Sequence, residues 1–247
     1  MASIRLMNDV STRVVDLAKR AQRTQCSIFT TFLSPAEADC AKIEAKKQAV
    51  EYHVNGGYPD AERVVVCFGE ERLPYPITAL QLTWAKQVAP THSDILGAVM
   101  GLGLKRSCIG DIIIDDNCAY LFCITTMATH IQETLVSAGR AHLSISICDE
   151  LPEIKPAVGI EGSCTVSSPR LDAILAHGFH LSRSKANDII RAGLVKQCHL
   201  YTTKPDVLVR EGDILSVRGY GRLLIVALGI PNKKGRIPIT FQRFSKK

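Results

Sequence analysis

Cationic side chains at helical spacing near the C-terminus are the residues of this sequence best suited to binding a polyanion. Arg183, Asn187 and Arg191 recur at every fourth position, so a helix would carry them on one face, and Lys185 also projects outward. Guanidinium and ammonium groups on a rigid helix neutralise phosphates and release the counterions condensed around them. The spacing therefore predicts a surface for nucleic acid.

The positive charge of the chain is concentrated in its last third. Residues 164–247 contain 15 Lys and Arg against 5 Asp and Glu, whereas the remainder contains 15 against 19. A basic module joined to a mildly acidic body indicates a polyanionic partner, with nucleic acid or the ribosome as the leading candidate. The alternative is a solvated basic face without a partner.

The composition restricts the class of protein further. With 46% hydrophobic and 22% charged residues, the chain of 247 residues lacks the bias of disordered or collagen-like sequences. We expect no membrane span or secretory signal, because no run of about 18 uncharged apolar residues occurs. The nine cysteines are odd in number and never spaced Cys-x-x-Cys, which indicates reduced packing residues in a cytoplasmic protein.

Two sets of elements precede the basic module. Residues 1–74 predict a small helical and mixed N-terminal subdomain, with helices over 4–23 and 34–50 and a strand over 64–68. Residues 75–150 predict a ferredoxin-like middle domain, because strands and helices follow the order βαββαβ. Its strands fall at 77–84, 110–114, 119–124 and 143–147, and its helices at 93–102 and 127–138.

Two aromatic residues of the middle domain have two possible roles. Tyr120 and Phe122 are two positions apart, so a strand would carry both on one face. RNA recognition motifs share this order of elements and stack bases on such aromatics. We favour a core or dimer-contact role instead, because the region is not basic and the full signature of that RNA module is missing.

The basic module begins after a predicted linker. Residues 151–164 contain the prolines and glycines typical of a connection, and residues 165–247 form the module. A short helix is predicted after Pro169, and a second helix is predicted from Ser182 as N-cap to a stop at Gly193. Short alternating segments follow and predict strands. The whole chain is therefore expected to have the α+β fold class.

The C-terminal module contains an ordered series of motifs, namely Arg170-Leu171-Asp172, Leu181-Ser182-Arg183-Ser184-Lys185-Ala186, Ala192-Gly193-Leu194-Val195, Glu211-Gly212-Asp213 and Val217-Arg218. These motifs resemble the S4 domain, a two-helix and β-hairpin RNA-binding module. The resemblance implies that Arg170, Arg183 and Lys185 contact RNA. Gln197-Cys198-His199 departs from the valine and asparagine that the S4 pattern usually has at the hairpin.

Further motifs occur through most of the chain, namely Gly56-Gly57-Tyr58-Pro59-Asp60-Ala61-Glu62-Arg63, His92-Ser93-Asp94-Ile95-Leu96-Gly97-Ala98, Gly101-Leu102-Gly103-Leu104-Lys105-Arg106, Ile109-Gly110-Asp111-Ile112 and Arg218-Gly219-Tyr220-Gly221-Arg222. With these motifs the chain resembles the bacterial YlmH family. It implies a non-catalytic RNA-binding protein that acts with peptidyl-tRNA-bearing large ribosomal subunits in the rescue of stalled translation. It also implies an association with cell division.

The expected partners follow from this resemblance and from the basic residues. They are rRNA, peptidyl-tRNA, the large ribosomal subunit and protein partners in ribosome quality control, with no membrane and no cofactor. The expected RNA-binding residues are Arg170, Ser182, Arg183, Lys185, Asn187, Arg191, Lys196, Arg218, Arg222, Lys233, Lys234 and Arg236. No catalytic residue and no metal ligand is expected.

Two alternatives belong to other classes of protein. An RNA-modifying enzyme would use Arg170-Leu171-Asp172 as a pseudouridine synthase signature, or Gly101-Leu102-Gly103 as a methyltransferase loop. Too little chain remains for a synthase domain, and the glycine pair follows a predicted helix instead of a strand. Asp172 is better interpreted as an acid in the first turn of a helix. The other alternative is a cell-division or scaffold protein whose basic patch meets an acidic protein or a membrane.

Overall fold

The protein consists of two compact units, residues 1–154 and 155–247. The computed structural model describes residues 2–85, 87–115, 117–149 and 159–245, with side chains for all of these except 2–11 and 245. Helices and antiparallel sheets occur in both units, which confirms the predicted α+β class. Within the described residues, no helix is both long enough and apolar enough to cross a bilayer.

The first unit begins with two helices on a small sheet. The elements are α1 (Ala2–Thr24), β1 (Ile28–Phe29), α2 (Pro35–Lys47), β2 (Tyr52–Asn55) and β3 (Val65–Phe68), and the antiparallel sheet has the order β1-β3-β2. Both predicted helices are confirmed. At the start of α2 the Ser34 amide donates to the Glu37 carboxylate at 2.6 Å, and the helices pack through small side chains, namely Val14, Ala18, Ala21, Ala38, Ala41 and Ala45.

The same unit continues with a four-stranded sheet. The elements are β4 (Ile77–Thr83), α3 (His92–Gly101), β5 (Ile109–Asp115), β6 (Cys118–Ile124), α4 (Thr125–Thr134), β7 (Ser137–Ala138), β8 (Ala141–His142) and β9 (Ser144–Ile147). The main sheet has the order β5-β6-β4-β9 and is antiparallel throughout, which is compatible with the predicted ferredoxin-like arrangement. The α4 helix is shorter than predicted, because β7 and β8 pair as a separate hairpin after Thr134.

The two faces of this sheet are covered by different parts of the unit. Helices α3 and α4 pack on one face through Ile95, Val99 and Ile131. On the other face Tyr120 and Phe122 are 7% and 0% exposed and pack in one apolar cluster with Phe32, Val65 and Cys67 of the N-terminal segment. The core interpretation of Tyr120 and Phe122 is therefore confirmed. The residues predicted as an N-terminal subdomain and a middle domain share this core.

A partly buried carboxylate connects the N-terminal segment to β5. Asp111 accepts hydrogen bonds from the Tyr58 hydroxyl at 2.8 Å, the Glu62 amide at 2.7 Å and the Arg63 amide at 3.2 Å. Burial, followed by the charge of Asp111, raises the pKa of Tyr58. The Arg63 guanidinium donates to the carbonyl of Ile109 at 3.0 Å, and burial lowers its pKa. The motif residues of this segment therefore have a structural role.

The second unit is a six-stranded sheet with two helices. Its elements are β10 (Ile160–Val166), α5 (Leu171–Gly178), α6 (Arg183–Arg191), β11 (Val195–Gln197), β12 (Leu200–Thr202), β13 (Ile214–Val217), β14 (Gly221–Leu228) and β15 (Ile237–Ser245). The antiparallel sheet has the order β10-β15-β14-β13-β11-β12. Both predicted helices and the β11–β12 hairpin are present, and this is compatible with the S4 arrangement.

The apolar core of the second unit joins the helices to one face of the sheet. Leu171, Ile174, Leu175, Ala186, Ile189 and Ile190 of the helices pack with Val195, Leu215, Val217, Leu223, Ile225 and Phe241 of the strands. Strand β10 begins at Ile160, within the segment 151–164 that the sequence predicts as a linker, and residues 151–158 lie outside the described residues. The core fixes both helices, so their side chains project from a rigid frame.

Candidate nucleic-acid interface

A nearly buried carboxylate organises the N-terminus of α5. The side chain of Asp172 is 4% exposed and accepts the Ala173 amide at 2.9 Å, as expected for an acid in the first turn of a helix. It also accepts the Arg170 Nε at 3.1 Å. This hydrogen bond is the largest cause that raises the pKa of Arg170.

The same carboxylate pairs with the first residue of α6. The Arg183 Nη2 lies 3.4 Å from Asp172 Oδ2, and the side chains of Arg170 and Arg183 remain 39% and 59% exposed. Burial raises the pKa of Asp172, but the Arg170 hydrogen bond and the Arg183 charge lower it by more, so the net pKa is below its usual range. Two guanidinium groups, from the N-cap of α5 and the first residue of α6, are thus held side by side at the surface.

Helix α6 carries further predicted residues. Ser182 is its N-cap, as predicted, and its hydroxyl oxygen accepts the Lys185 amide at 3.1 Å. Lys185 and Arg191 are exposed, and Asn187 is half-buried. The positive end of the helix dipole and the exposed cations of the first turn together form a favourable environment for a phosphate.

Two predicted residues lie on the sheet and not on the helical face. Lys196 of β11 and Arg222 of β14 alternate with buried residues, so they project from the face opposite the helices. The Lys196 Nζ lies 4.7 Å from the ring centroid of Tyr201, its cross-strand neighbour. Arg218 is exposed in the turn between β13 and β14. The predicted set is therefore divided between the two faces of the unit.

The remaining predicted residues lie in the loop between β14 and β15. Asn232 Oδ1 accepts the amides of Lys234 at 2.9 Å and Arg236 at 3.1 Å, and this fixes the shape of the loop. Lys233 and Lys234 are exposed, and the Arg236 guanidinium donates to the carbonyl of Thr165 at 2.6 Å. The loop therefore presents its cations from an ordered turn.

The hairpin that departs from the usual S4 pattern has a local structural explanation. Gln197 Nε2 donates to Asp213 Oδ2 at 2.6 Å, and the Cys198 thiol donates to Asp213 Oδ1 at 3.0 Å. Cys198 and His199 have φ values of 46° and 67°, as in the two-residue turns that join hairpin strands. Asp213 is 9% exposed, so these bonds satisfy a carboxylate that would otherwise be costly to bury.

The sequence interpretation missed two roles. Asp172 joins the predicted residues Arg170 and Arg183, and its only signal was an acidic residue in the first turn of a basic helix pair. Tyr201 stands beside Lys196, and its signal was an aromatic residue in a basic, polar strand. Within the described parts of the chain, no three His, Cys, Asp or Glu side chains are placed to hold a metal ion.

Comparisons with known proteins identify similar sequences over most of the chain. Residues 7–73 match the family model described as "YlmH, N-terminal", and residues 72–150 match the one described as "Putative RNA-binding domain in YlmH". "Ribosome-associated protein quality control protein P2" of Bacillus subtilis (strain 168) is 34% identical over 222 residues, which cover 87% of this chain and 86% of that protein.

Similarity to a solved structure is also found. "Cell division protein ylmH from Streptococcus pneumoniae" aligns with a TM-score of 0.49 and 22% sequence identity. The alignment covers 60% of this chain and 92% of that one.

Proposed function

The chain belongs to the YlmH family, and from that premise we propose that it is a non-catalytic RNA-binding protein of the ribosome. It binds structured rRNA on the large subunit. It acts in the cytoplasm on stalled large subunits that carry peptidyl-tRNA. The name of the Bacillus subtilis relative and the description of the middle-domain family model support this proposal.

The observation that carries the proposal is the pair of guanidinium groups around Asp172. Arg170 is the N-cap of α5 and Arg183 is the first residue of α6, both helices belong to one core, and a single carboxylate fixes both side chains. Each guanidinium has five N–H donors, so the bonds to Asp172 leave others for phosphate oxygens. Because these donors are already fixed, binding phosphates at a matching spacing on a folded RNA costs less side-chain entropy.

The neighbouring cations extend this contact. Lys185 and Arg191 are exposed along α6, and the N-cap of that helix, Ser182, is exposed as well. Contacts of this type recognise shape more than sequence, as expected for double-helical RNA, whose deep major groove side chains cannot read. The affinity should decrease steeply with salt, because each neutralised phosphate releases counterions.

The environment of Asp172 also bears on the enzyme alternative. A nucleophilic carboxylate must reach its substrate, whereas this side chain is 4% exposed and engaged by Arg170, Arg183 and the Ala173 amide. A role in positioning the arginines is the better explanation. Mass spectrometry of rRNA and tRNA from a deletion strain tests the alternative, since a missing modification would favour an enzyme.

The direct test reverses two exposed cations of α6. Lys185→Glu combined with Arg191→Glu should lower binding to purified large subunits by about ten- to a hundredfold in a co-sedimentation assay, with a shallower salt dependence. Arg183→Glu is less suitable, although that residue is 59% exposed, because the new carboxylate would lie against Asp172.

A matched control reverses two cations elsewhere. Lys46→Glu with Lys47→Glu makes the same change of charge on the exposed side of α2 and should leave sedimentation nearly unchanged. Equal pelleting of the α6 variant and the unsubstituted chain would contradict the proposal. Equal loss in both variants would indicate attraction by net charge alone, which contradicts a defined site on α6.

A further inference from the structure

A row of side chains crosses the outer face of the six-stranded sheet, opposite the helices. Lys196 is in register with Tyr201 on β12 and with Ser216 on β13, and the register continues from Ser216 to Arg222 on β14 and to Phe244 on β15. Residues directly opposite each other in antiparallel strands lie on the same face. From β12 to β15 the row therefore consists of a tyrosine, a lysine, a serine, an arginine and a phenylalanine on one surface.

Tyr201 is the unusual member of this row. All the phenylalanine, tyrosine and tryptophan residues of the chain lie within the described residues, and among them only Tyr201 is exposed, at 65%. The Lys196 ammonium lies over its ring at 4.7 Å and so covers one side. The accessible surface of the ring must then lie on its other side and its edge.

The chain that follows Tyr201 leads directly to the arginine pair. The Asp172 amide donates to the carbonyl of Pro205 at 3.0 Å, and the Leu171 amide donates to the carbonyl of Val207 at 2.9 Å. Pro205 is four residues from Tyr201, a span of at most about 14 Å. The backbone of Tyr201 therefore lies at most about 14 Å from Pro205, whose carbonyl accepts the amide of the residue that fixes Arg170 and Arg183.

We propose that Tyr201, with Lys196 behind it, is a stacking site for one unpaired RNA base next to the helical segment held by the arginines. This inference rests on the proposed function and deepens it, because it specifies an RNA ligand with a bulged or loop nucleotide. Unpaired bases are the part of structured RNA that aromatic side chains recognise.

The chemistry of the two side chains suits this ligand. An aromatic ring stacks on any base, so the site tolerates different sequences, and base stacking is among the stronger contacts to unpaired RNA. The cation–π contact with Lys196 restrains the ring, and the ammonium can also attract the phosphate of the stacked nucleotide. Lys196 thus serves the ring and the backbone together.

The test uses the full chain and two RNA hairpins. One hairpin carries a single bulged 2-aminopurine in its stem, and the other has the same stem fully paired. Tyr201→Ala should weaken binding of the bulged hairpin by about five- to a hundredfold, the range expected for one stacked base, and leave the paired hairpin unchanged. Tyr201→Phe keeps the ring and should retain both the affinity and the quenching of 2-aminopurine fluorescence.

The outcomes separate this inference from the proposed function. Equal affinity of Tyr201→Ala and the unsubstituted chain for the bulged hairpin overturns the stacking site while RNA binding stands. Equal loss on both hairpins also overturns it, because the ring would then act on the fold or on backbone contact. Failure of the unsubstituted chain to bind either hairpin overturns the proposed function, and with it this inference.

Discussion

Replacing Asp172 with asparagine removes the charge that joins two helices and keeps the shape of the side chain. The amide oxygen of Asn can still accept the Ala173 amide, so the loss concerns the bonds to Arg170 and Arg183. Bonds between charged groups contribute more than neutral ones when buried, but both arginines are well exposed and solvent screens them. We therefore expect Asp172→Asn to lower the free energy of unfolding by about 1–2 kcal/mol.

The effect should depend on pH in a defined direction. The folded-state pKa of Asp172 lies below that of an unfolded aspartate, about 3.9, so its stabilisation is complete above about pH 5 and is lost as the pH falls through the folded-state pKa. Thermal unfolding followed by circular dichroism at pH 7 should show a Tm lower by about 2–8 °C. The difference between the variant and the unsubstituted chain should shrink towards pH 3.

Asp188→Asn is the matched control, because Asp188 is an exposed acid of α6 and its replacement makes the same change of charge. If net charge alone governs binding, both variants should bind RNA as well as the unsubstituted chain or slightly better. If Asp172 positions the arginines, only Asp172→Asn should bind RNA more weakly. Equal Tm values for the two variants at pH 7 would refute the reasoning. A Tm difference that persists unchanged at pH 3 would refute it as well.

Two further predictions concern the first unit, and both are measured by thermal unfolding. Gly57→Ala should destabilise by about 2–4 kcal/mol, because Gly57 has φ +96° and the new Cβ would lie 2.6 Å from a Phe122 ring carbon. Gly103 has φ +77°, but among the described residues no atom beyond its chain neighbours lies within 4 Å of an added Cβ, so Gly103→Ala should lower the free energy of unfolding by only about 1 kcal/mol. Equal destabilisation by the two substitutions would exclude the steric explanation. Asp111→Asn should destabilise by about 1–3 kcal/mol, because the carboxylate accepts the Tyr58 hydroxyl and two backbone amides. An unchanged Tm would show that this cluster does not hold the segment.

Periodic and capped segments were the predictable part of the fold. The α2 helix begins at Pro35 and α6 begins after Ser182 because local residues satisfy the first amides of each helix, and such signals are visible in the sequence. The start of α3 was less clear. The sequence predicts this helix from residue 93, whereas α3 begins at His92 with Thr91 as its N-cap, because Asp94 lies three residues after Thr91 and accepts its amide at 2.9 Å.

Contacts between distant segments could not be predicted in this way. The covering of Phe122 by Phe32 and Val65 depends on how two segments pack, and nothing local in either segment records it. The same holds for Asp172. Its position in the first turn of a helix was predicted, but its bond to Arg183 joins residues eleven positions apart, across the connection between α5 and α6. The predicted RNA-binding residues lie on two faces because of the strand register. Alternation along one strand does not determine that register, and a shift of one position would move its side chains to the other face.

The cover over the four-stranded sheet has a practical consequence for dissecting this family. The two family models meet at residues 72 and 73, yet Phe32 and Cys67 lie on one side of that boundary and Tyr120 and Phe122 on the other, all within one apolar cluster. A fragment beginning at residue 72 would expose the face of the sheet that carries Tyr120 and Phe122. Bases could then stack on these rings, which are buried in the intact chain. Nucleic-acid affinity measured on such a fragment would then report a surface created by the cut.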